Sequence, residues 1–146
     1  MLREQLGASP QFAPYLERAL SAIARLEAGQ RVDTAGMDGV LMSLFAPQVQ
    51  DYLIDLFKHD PADLAARVRV PMMVLQGGQD LQTSEADARR IAAANPRARL
   101  VLLPQVNHVL KAVASGDRGA NAATYSDPSL PLAPGVAEAI AEFVKR

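Results

Sequence analysis

The chain has 146 residues, 49% hydrophobic and 21% charged, which is the composition of one ordinary globular domain. Its 15 basic and 16 acidic residues leave a formal net charge of -1, which argues against disorder and against a nucleic-acid partner held through its phosphates. The lack of cysteine excludes disulfides, thiolate zinc sites and cysteine nucleophiles. Because no apolar run approaches the ~20 residues of a membrane span and no secretory signal begins the chain, we expect a cytoplasmic protein with no membrane partner.

Residues 1–67 have the pattern of helices. Ser9 before Pro10 is typical of a helix start, and Gly29 is a stop signal after apolar residues at helical spacing: Phe12, Leu16, Leu20, Ile23 and Leu26. Pro47 and Asp60-Pro61 mark two further helix starts, over about 47–57 and 62–66. For the first of these we expect an inward face of Val49, Tyr52, Leu53, Leu56 and Phe57. The apolar stretch 40–45 is of uncertain type, and a third strand is one alternative.

Residues 68–146 read as strand, helix, strand and closing helix. The run Val70–Leu75 is almost wholly apolar and ends at Gly77-Gly78, which is typical of a strand buried on both faces of a parallel sheet. Thr83 or Ser84 begins a helix that continues to Ala94, and a second buried strand follows over 99–103. A loop over 105–131 precedes a closing helix at about 134–144, whose apolar face is Val136, Ile140 and Phe143.

Two apolar strands make a sheet with unpaired edges. Such edges expose backbone donors and acceptors that can pair with another chain. We therefore expect a homodimer formed through the exposed sheet edge. If the stretch 40–45 is a third strand, the sheet would instead be small and self-contained.

Two titratable residues follow the carboxyl ends of the predicted strands, where ligands gather in parallel α/β sheets. Asp80 lies after the first strand and the Gly77-Gly78 turn, and His108 lies after the second strand. A carboxylate can hold one nitrogen of an imidazole and leave the other free as a general base. Asp80 and His108 are therefore the candidate catalytic residues. Gly78, Lys111 and Tyr125 are candidate substrate contacts.

The sequence around these residues resembles the last two strands of an α/β-hydrolase: V-L-Q-G-G-Q-D (74–80), R-L-V-L-L-P (99–104) and N-H-V-L-K (107–111). The resemblance implies that Asp80 and His108 are the acid and base of that family's Ser-His-Asp triad. It also implies a helical lid over about 12–66 and a closing helix that packs on the sheet. The expected fold is thus a truncated α/β-hydrolase-like α/β domain, with a lid-like segment 1–67, a core 68–146 and a short parallel sheet completed by dimerisation.

The sequence departs from this family at the nucleophile. The family's serine lies in G-x-S-x-G, and none of the serines here is flanked by that glycine pair. A serine acyl-enzyme mechanism therefore does not carry over to this chain.

Three functions stay open. In the first, His108 oriented by Asp80 activates water to hydrolyse an ester or phosphoester of a small molecule, and no cofactor is needed. In the second, Asp80 and His108 bind zinc or manganese in a homodimer, where a second copy duplicates the pair or adds His59, Asp60 or Asp127. In the third, the chain is non-catalytic, or is half of a two-chain enzyme whose partner carries the serine.

Overall fold

The computed structural model describes residues 13–114 and 116–145, and the chain divides into two compact units between Asp60 and Pro61. The predicted helix start at Ser9-Pro10 and the apolar residue Phe12 lie outside the described residues. The division falls earlier than the expected boundary after residue 67. The reason is a buried side chain of the second unit: the Asn95 amide donates to the carbonyl oxygens of Ala65 and Val68, each at 3.0 Å.

The first unit is helical over its described residues. Helix α1 (Ala13–Glu27) is followed by α2 (Gly39–Phe45), a 3₁₀ turn (Pro47–Val49) and α3 (Gln50–Phe57). The stretch of uncertain type is therefore a helix, because the Asp38 side chain caps α2 by accepting from the amides of Val40 and Leu41. The buried core of this unit comprises Ala19, Ala22, Leu26, Leu41 and Phe45.

The predicted inward face of α3 is confirmed for Leu53 and Phe57 and is wrong for Val49, Tyr52 and Leu56. Tyr52 and Leu56 are 66% and 45% exposed, whereas Leu53 and Phe57 pack against the core. Ile54, which was not predicted to face inward, also packs against the core, so the inward face of α3 runs through Leu53, Ile54 and Phe57. The residue that is buried is polar: the Gln50 amide group donates to the carbonyl oxygens of Val32 and Phe45 and accepts from the Val32 amide.

The second unit has mixed α/β structure around a two-stranded parallel sheet. Helix α4 (Pro61–Arg67) precedes β1 (Met72–Gly77), α5 (Glu85–Ala94) and β2 (Ala98–Leu103). The strands pair in register from Met72 opposite Ala98 to Gly77 opposite Leu103. The strand-helix-strand order is confirmed, although β1 begins and ends about two residues later than predicted.

After β2 the chain forms helix α6 (Arg118–Ala123), a 3₁₀ turn (Thr124–Ser126) and the closing helix α7 (Val136–Val144). Helix α6 lies in the stretch 105–131 that was predicted to be a loop. It was not predicted as a helix because its sequence contains glycine and small residues and lacks an apolar period. Its start is set by Asp117, whose carboxylate accepts from the amides of Gly119 and Ala120. Within the described ranges, no helix is long and apolar enough to cross a membrane.

The strands are less buried than predicted. All of β2 and most of β1 are half-buried, and only Gln76 and Gly77 are buried. Helix α5 packs against both strands, and among the described residues the two strands pair with each other alone. The expectation of strands covered on both faces is therefore wrong for the described chain, and pairing with a second copy stays a prediction.

Gly77, the last residue of β1, lies directly against the backbone of the segment that follows β2. A Cβ added there would lie 2.1 Å from the carbonyl oxygen of Val106, which belongs to the backbone and cannot rotate away. We expect Gly77→Ala to lower the free energy of unfolding by about 1–3 kcal/mol or more, measured by chemical denaturation. Gly39→Ala is the matched control, since a Cβ there meets no described atom within 4 Å. Equal stability of the two variants would contradict the close approach.

Candidate active site

The segments that follow β1 and β2 are joined at one end of the sheet. The Gly78 amide donates to the Leu103 carbonyl and the Gln79 amide donates to the Val106 carbonyl, both at 2.9 Å. Because parallel strands end at the same edge, these bonds hold the two exit segments side by side. Asp80 lies on the first segment and His108 on the second.

The structure places the side chains of Asp80 and His108 in direct contact. Nδ1 of His108 lies 2.9 Å from Oδ2 of Asp80. The Asp80 side chain is 7% exposed, whereas that of His108 is 39% exposed. The pair therefore has a covered carboxylate and an imidazole that solvent and small molecules can reach.

The Asp80 carboxylate is held by its own turn. Its Oδ1 accepts from the backbone amides of Gln82 (2.7 Å) and Thr83 (2.9 Å), and its Oδ2 accepts from the Thr83 hydroxyl (2.8 Å). Burial raises the pKa of Asp80, but the hydrogen bonds from Thr83, Gln82 and His108 outweigh burial and leave this pKa below its ordinary value.

An ionised carboxylate only accepts hydrogen bonds, so the chemistry of the pair follows from its charge. Nδ1 of His108 must carry the proton in this contact. In the neutral imidazole the lone pair then lies on Nε2, at the other side of the ring. This arrangement presents Nε2 as a base.

The lowered pKa of Asp80 predicts how stability depends on pH. The unfolded carboxyl group has the ordinary value of 3.8 and binds protons more readily than the folded one. Its contribution to stability is therefore present above that pH and is lost as pH falls through the folded value. We expect the stability difference between the wild-type chain and Asp80→Asn to shrink between pH 5 and about pH 2, in urea titrations. A difference that stays constant over this range would contradict the lowered pKa.

Two buried asparagines connect the segments that carry Asp80 and His108. Asn121 of α6 donates to the Gln79 carbonyl at 2.6 Å and accepts from the Asn107 amide group at 3.2 Å. Asn107 also donates to the Thr124 hydroxyl at 2.6 Å, and its oxygen accepts from the Lys111 amide at 2.9 Å. The residue before Asp80 and the residue before His108 are thus linked through Asn121. This link limits how far the two segments can separate.

The three candidate substrate contacts have partners in the structure. The Gly78 amide donates to the carbonyl oxygen of Leu103. The Lys111 ammonium donates to the carbonyl oxygen of Leu130 and so ties down the loop before α7. The Tyr125 hydroxyl accepts from the Gln82 side-chain amide at 3.2 Å, next to the Asp80 turn. Their roles in substrate binding stay predictions.

The residues considered for a metal come from both units of the chain. His59 and Asp60 belong to the first unit, and Nε2 of His59 lies 4.0 Å from Asp55. Asp127 accepts from the amide and hydroxyl of Ser129. The described part of the chain contains no group of three or more His, Cys, Asp or Glu residues that could hold a metal ion. Zinc or manganese binding across two copies stays a prediction.

Sequence reasoning missed the residues that hold the pair in place. The sequence indicated only a helix cap at Thr83, yet the amide and the hydroxyl of this residue both donate hydrogen bonds to Asp80. Asn107 and Asn121 are 1% exposed, but an asparagine in a loop gives no sign in the sequence that it is buried. The position of Asn107 directly before His108 was the one feature of the sequence that could have indicated a role in holding the pair.

Comparison with known proteins gives one partial similarity. No family model matches the chain, and no solved structure matches it. Among curated proteins, Esterase EstD of Thermotoga maritima is 29% identical over 62 residues, which cover 40% of this chain and 15% of the esterase. The chain therefore spans only a small part of the length of that relative. Over this stretch the chain is similar to an esterase, and its resemblance to the α/β-hydrolases in particular stays a prediction.

Proposed function

We propose that this chain hydrolyses carboxylic esters of small molecules, with His108 as the general base and Asp80 as the residue that orients it. The observation that carries the proposal is the 2.9 Å contact between His108 Nδ1 and the covered, ionised Asp80 carboxylate, which leaves Nε2 on an accessible ring. The partial similarity to an esterase supports an ester as the substrate.

The reaction needs water as its nucleophile. Nε2 of His108 removes a proton from water as the water oxygen bonds to the acyl carbon, and the carbonyl electrons move onto oxygen. The tetrahedral intermediate collapses, the bond to the alcohol oxygen breaks, and the imidazolium returns its proton to the departing alcohol. The products are the carboxylic acid and the alcohol, and Asp80 stabilises the imidazolium that forms between the two steps.

A second candidate is that the pair activates a serine of another polypeptide. Asp80 is the hydrogen-bond partner of His108 within the described residues, and the chain spans 15% of the similar esterase. An oriented imidazole can remove a proton from a serine hydroxyl as readily as from water. In this case the chain would supply the acid and base, and the partner would supply the nucleophile.

Hydrolysis of 4-nitrophenyl esters by the purified chain tests both candidates. Water activation predicts turnover by the chain alone, unaffected by a serine-reactive fluorophosphonate. It also predicts no effect of a metal chelator, because the described donors do not form a metal cluster. His108→Ala, purified identically, measures the background from contaminating esterases. Activity of the chain alone that the fluorophosphonate abolishes would contradict water activation. Activity that appears only with a second polypeptide, and that the fluorophosphonate abolishes, would support the split enzyme.

A further inference from the structure

A groove of about 450 Å³ lies against the segment that directly follows Asp80. We call it the α6 groove, and it is lined by Leu81, Gln82, Arg118, Asn121, Ala122 and Tyr125. Its volume is within the range of small-molecule sites. None of the functional predictions made from the sequence used this groove as a whole.

The walls of the α6 groove are continuous with the segments that carry the pair. Leu81 and Gln82 directly follow Asp80, and the Gln82 backbone amide donates to the Asp80 carboxylate. Asn121 bonds to the Gln79 carbonyl on one side and to Asn107, the neighbour of His108, on the other. A molecule in the groove would therefore lie next to the loops from which Asp80 and His108 project.

The polar groups of the α6 groove include hydrogen-bond donors suited to an anion. The Tyr125 hydroxyl accepts from Gln82, so its own hydrogen remains for another acceptor. Arg118 lines the groove and is exposed to solvent, so its guanidinium can pair with an anion bound there. Leu81 and Ala122 add apolar wall, against which methylene groups can pack.

From these groups we infer that the α6 groove binds the carboxylate end of the substrate, so that the esters preferred by this chain are monoesters of dicarboxylic acids. A single guanidinium matches a single carboxylate in charge and in its two-pronged geometry. Apolar walls beside it suit the methylene chain between that carboxylate and the scissile ester. The inference rests on the proposed ester hydrolysis.

Two esters of equal acyl length test the inference. Mono-4-nitrophenyl adipate carries a terminal carboxylate, and 4-nitrophenyl hexanoate ends in a methyl group. We expect kcat/KM to be higher for the adipate ester, and Arg118→Gln to lower the ratio of the two values about 5-fold or more. Arg118→Lys should retain part of the preference, which should also weaken at high salt because the groove is open to solvent. Arg89→Gln is the matched control, since this exposed arginine pairs with Glu85 on α5.

The outcomes separate the inference from the proposed function. If neither ester is hydrolysed above the His108→Ala background, the proposed function is wrong. If both are hydrolysed and the ratio is the same in Arg118→Gln as in the wild-type chain, the inference alone is wrong. Calorimetric titration with adipate gives a readout independent of turnover: Arg118→Gln should weaken binding while Arg89→Gln should not, and equal binding by the two variants would also overturn the inference.

Discussion

His108→Gln is expected to lower kcat for ester hydrolysis by about 10²- to 10⁴-fold, the usual contribution of a general base. Glutamine has no titratable nitrogen, so it can hydrogen-bond to Asp80 but cannot take a proton from water. The fold should persist, because the side chain it replaces is 39% exposed. Turnover of a 4-nitrophenyl ester and the midpoint of thermal unfolding are the two measurements.

The chain contains its own control for this experiment. His59 is the other histidine, its side chain is 52% exposed, and it lies in the first unit against Asp55. We expect His59→Gln to keep wild-type turnover. If the two glutamine variants have the same activity, His108 is not the base.

Asp80→Asn should reduce kcat by a similar factor, about 10²- to 10⁴-fold, for a different reason. An asparagine amide group in place of Oδ2 donates a hydrogen bond, so Nδ1 of His108 must accept it. The proton of the neutral imidazole then lies on Nε2, and the accessible nitrogen is no longer a base. The imidazole is still present, but in the wrong tautomer.

A double variant checks that the two residues act as one unit. Residues of a catalytic unit are strongly non-additive, so Asp80→Asn combined with His108→Gln should be no less active than His108→Gln alone. Asp63→Asn, at an exposed carboxylate in the first turn of α4, serves as the control for loss of one negative charge. Multiplicative losses in the double variant would show that Asp80 acts independently of His108.

The stability of Asp80→Asn must be separated from the catalytic role proposed for Asp80. Hydrogen bonds from Gln82 and Thr83 stabilise the ionised carboxylate, so Asp80→Asn also costs stability at neutral pH. The loss of turnover should therefore be measured at a temperature well below the midpoint of thermal unfolding of the variant. A folded, inactive Asp80→Asn chain would assign the effect to the site.

Much of the second unit could be predicted from local pattern. An apolar run ending in Gly77-Gly78, a capped helix and a second apolar run predict strand, helix and strand, since each element depends on residues close together in the chain. In the first unit, local counting failed for part of α3, because which face of a helix is buried depends on the elements it packs against. Helix α6 was missed because its start depends on the Asp117 cap and its sequence has no apolar period.

The sequence by itself determined the parallel strand pair and the order in which Asp80 and His108 follow it, because the period of a strand and the topology of a crossover are set locally. Only the tertiary structure decided which nitrogen of His108 faces the carboxylate, and which side chains hold that carboxylate in place. It also decided that Asn107 and Asn121 are buried and that α6 forms one wall of a groove beside the Asp80 turn. These features depend on contacts between residues up to 43 positions apart, such as the hydrogen bond between Gln82 and Tyr125, and no local pattern records such contacts.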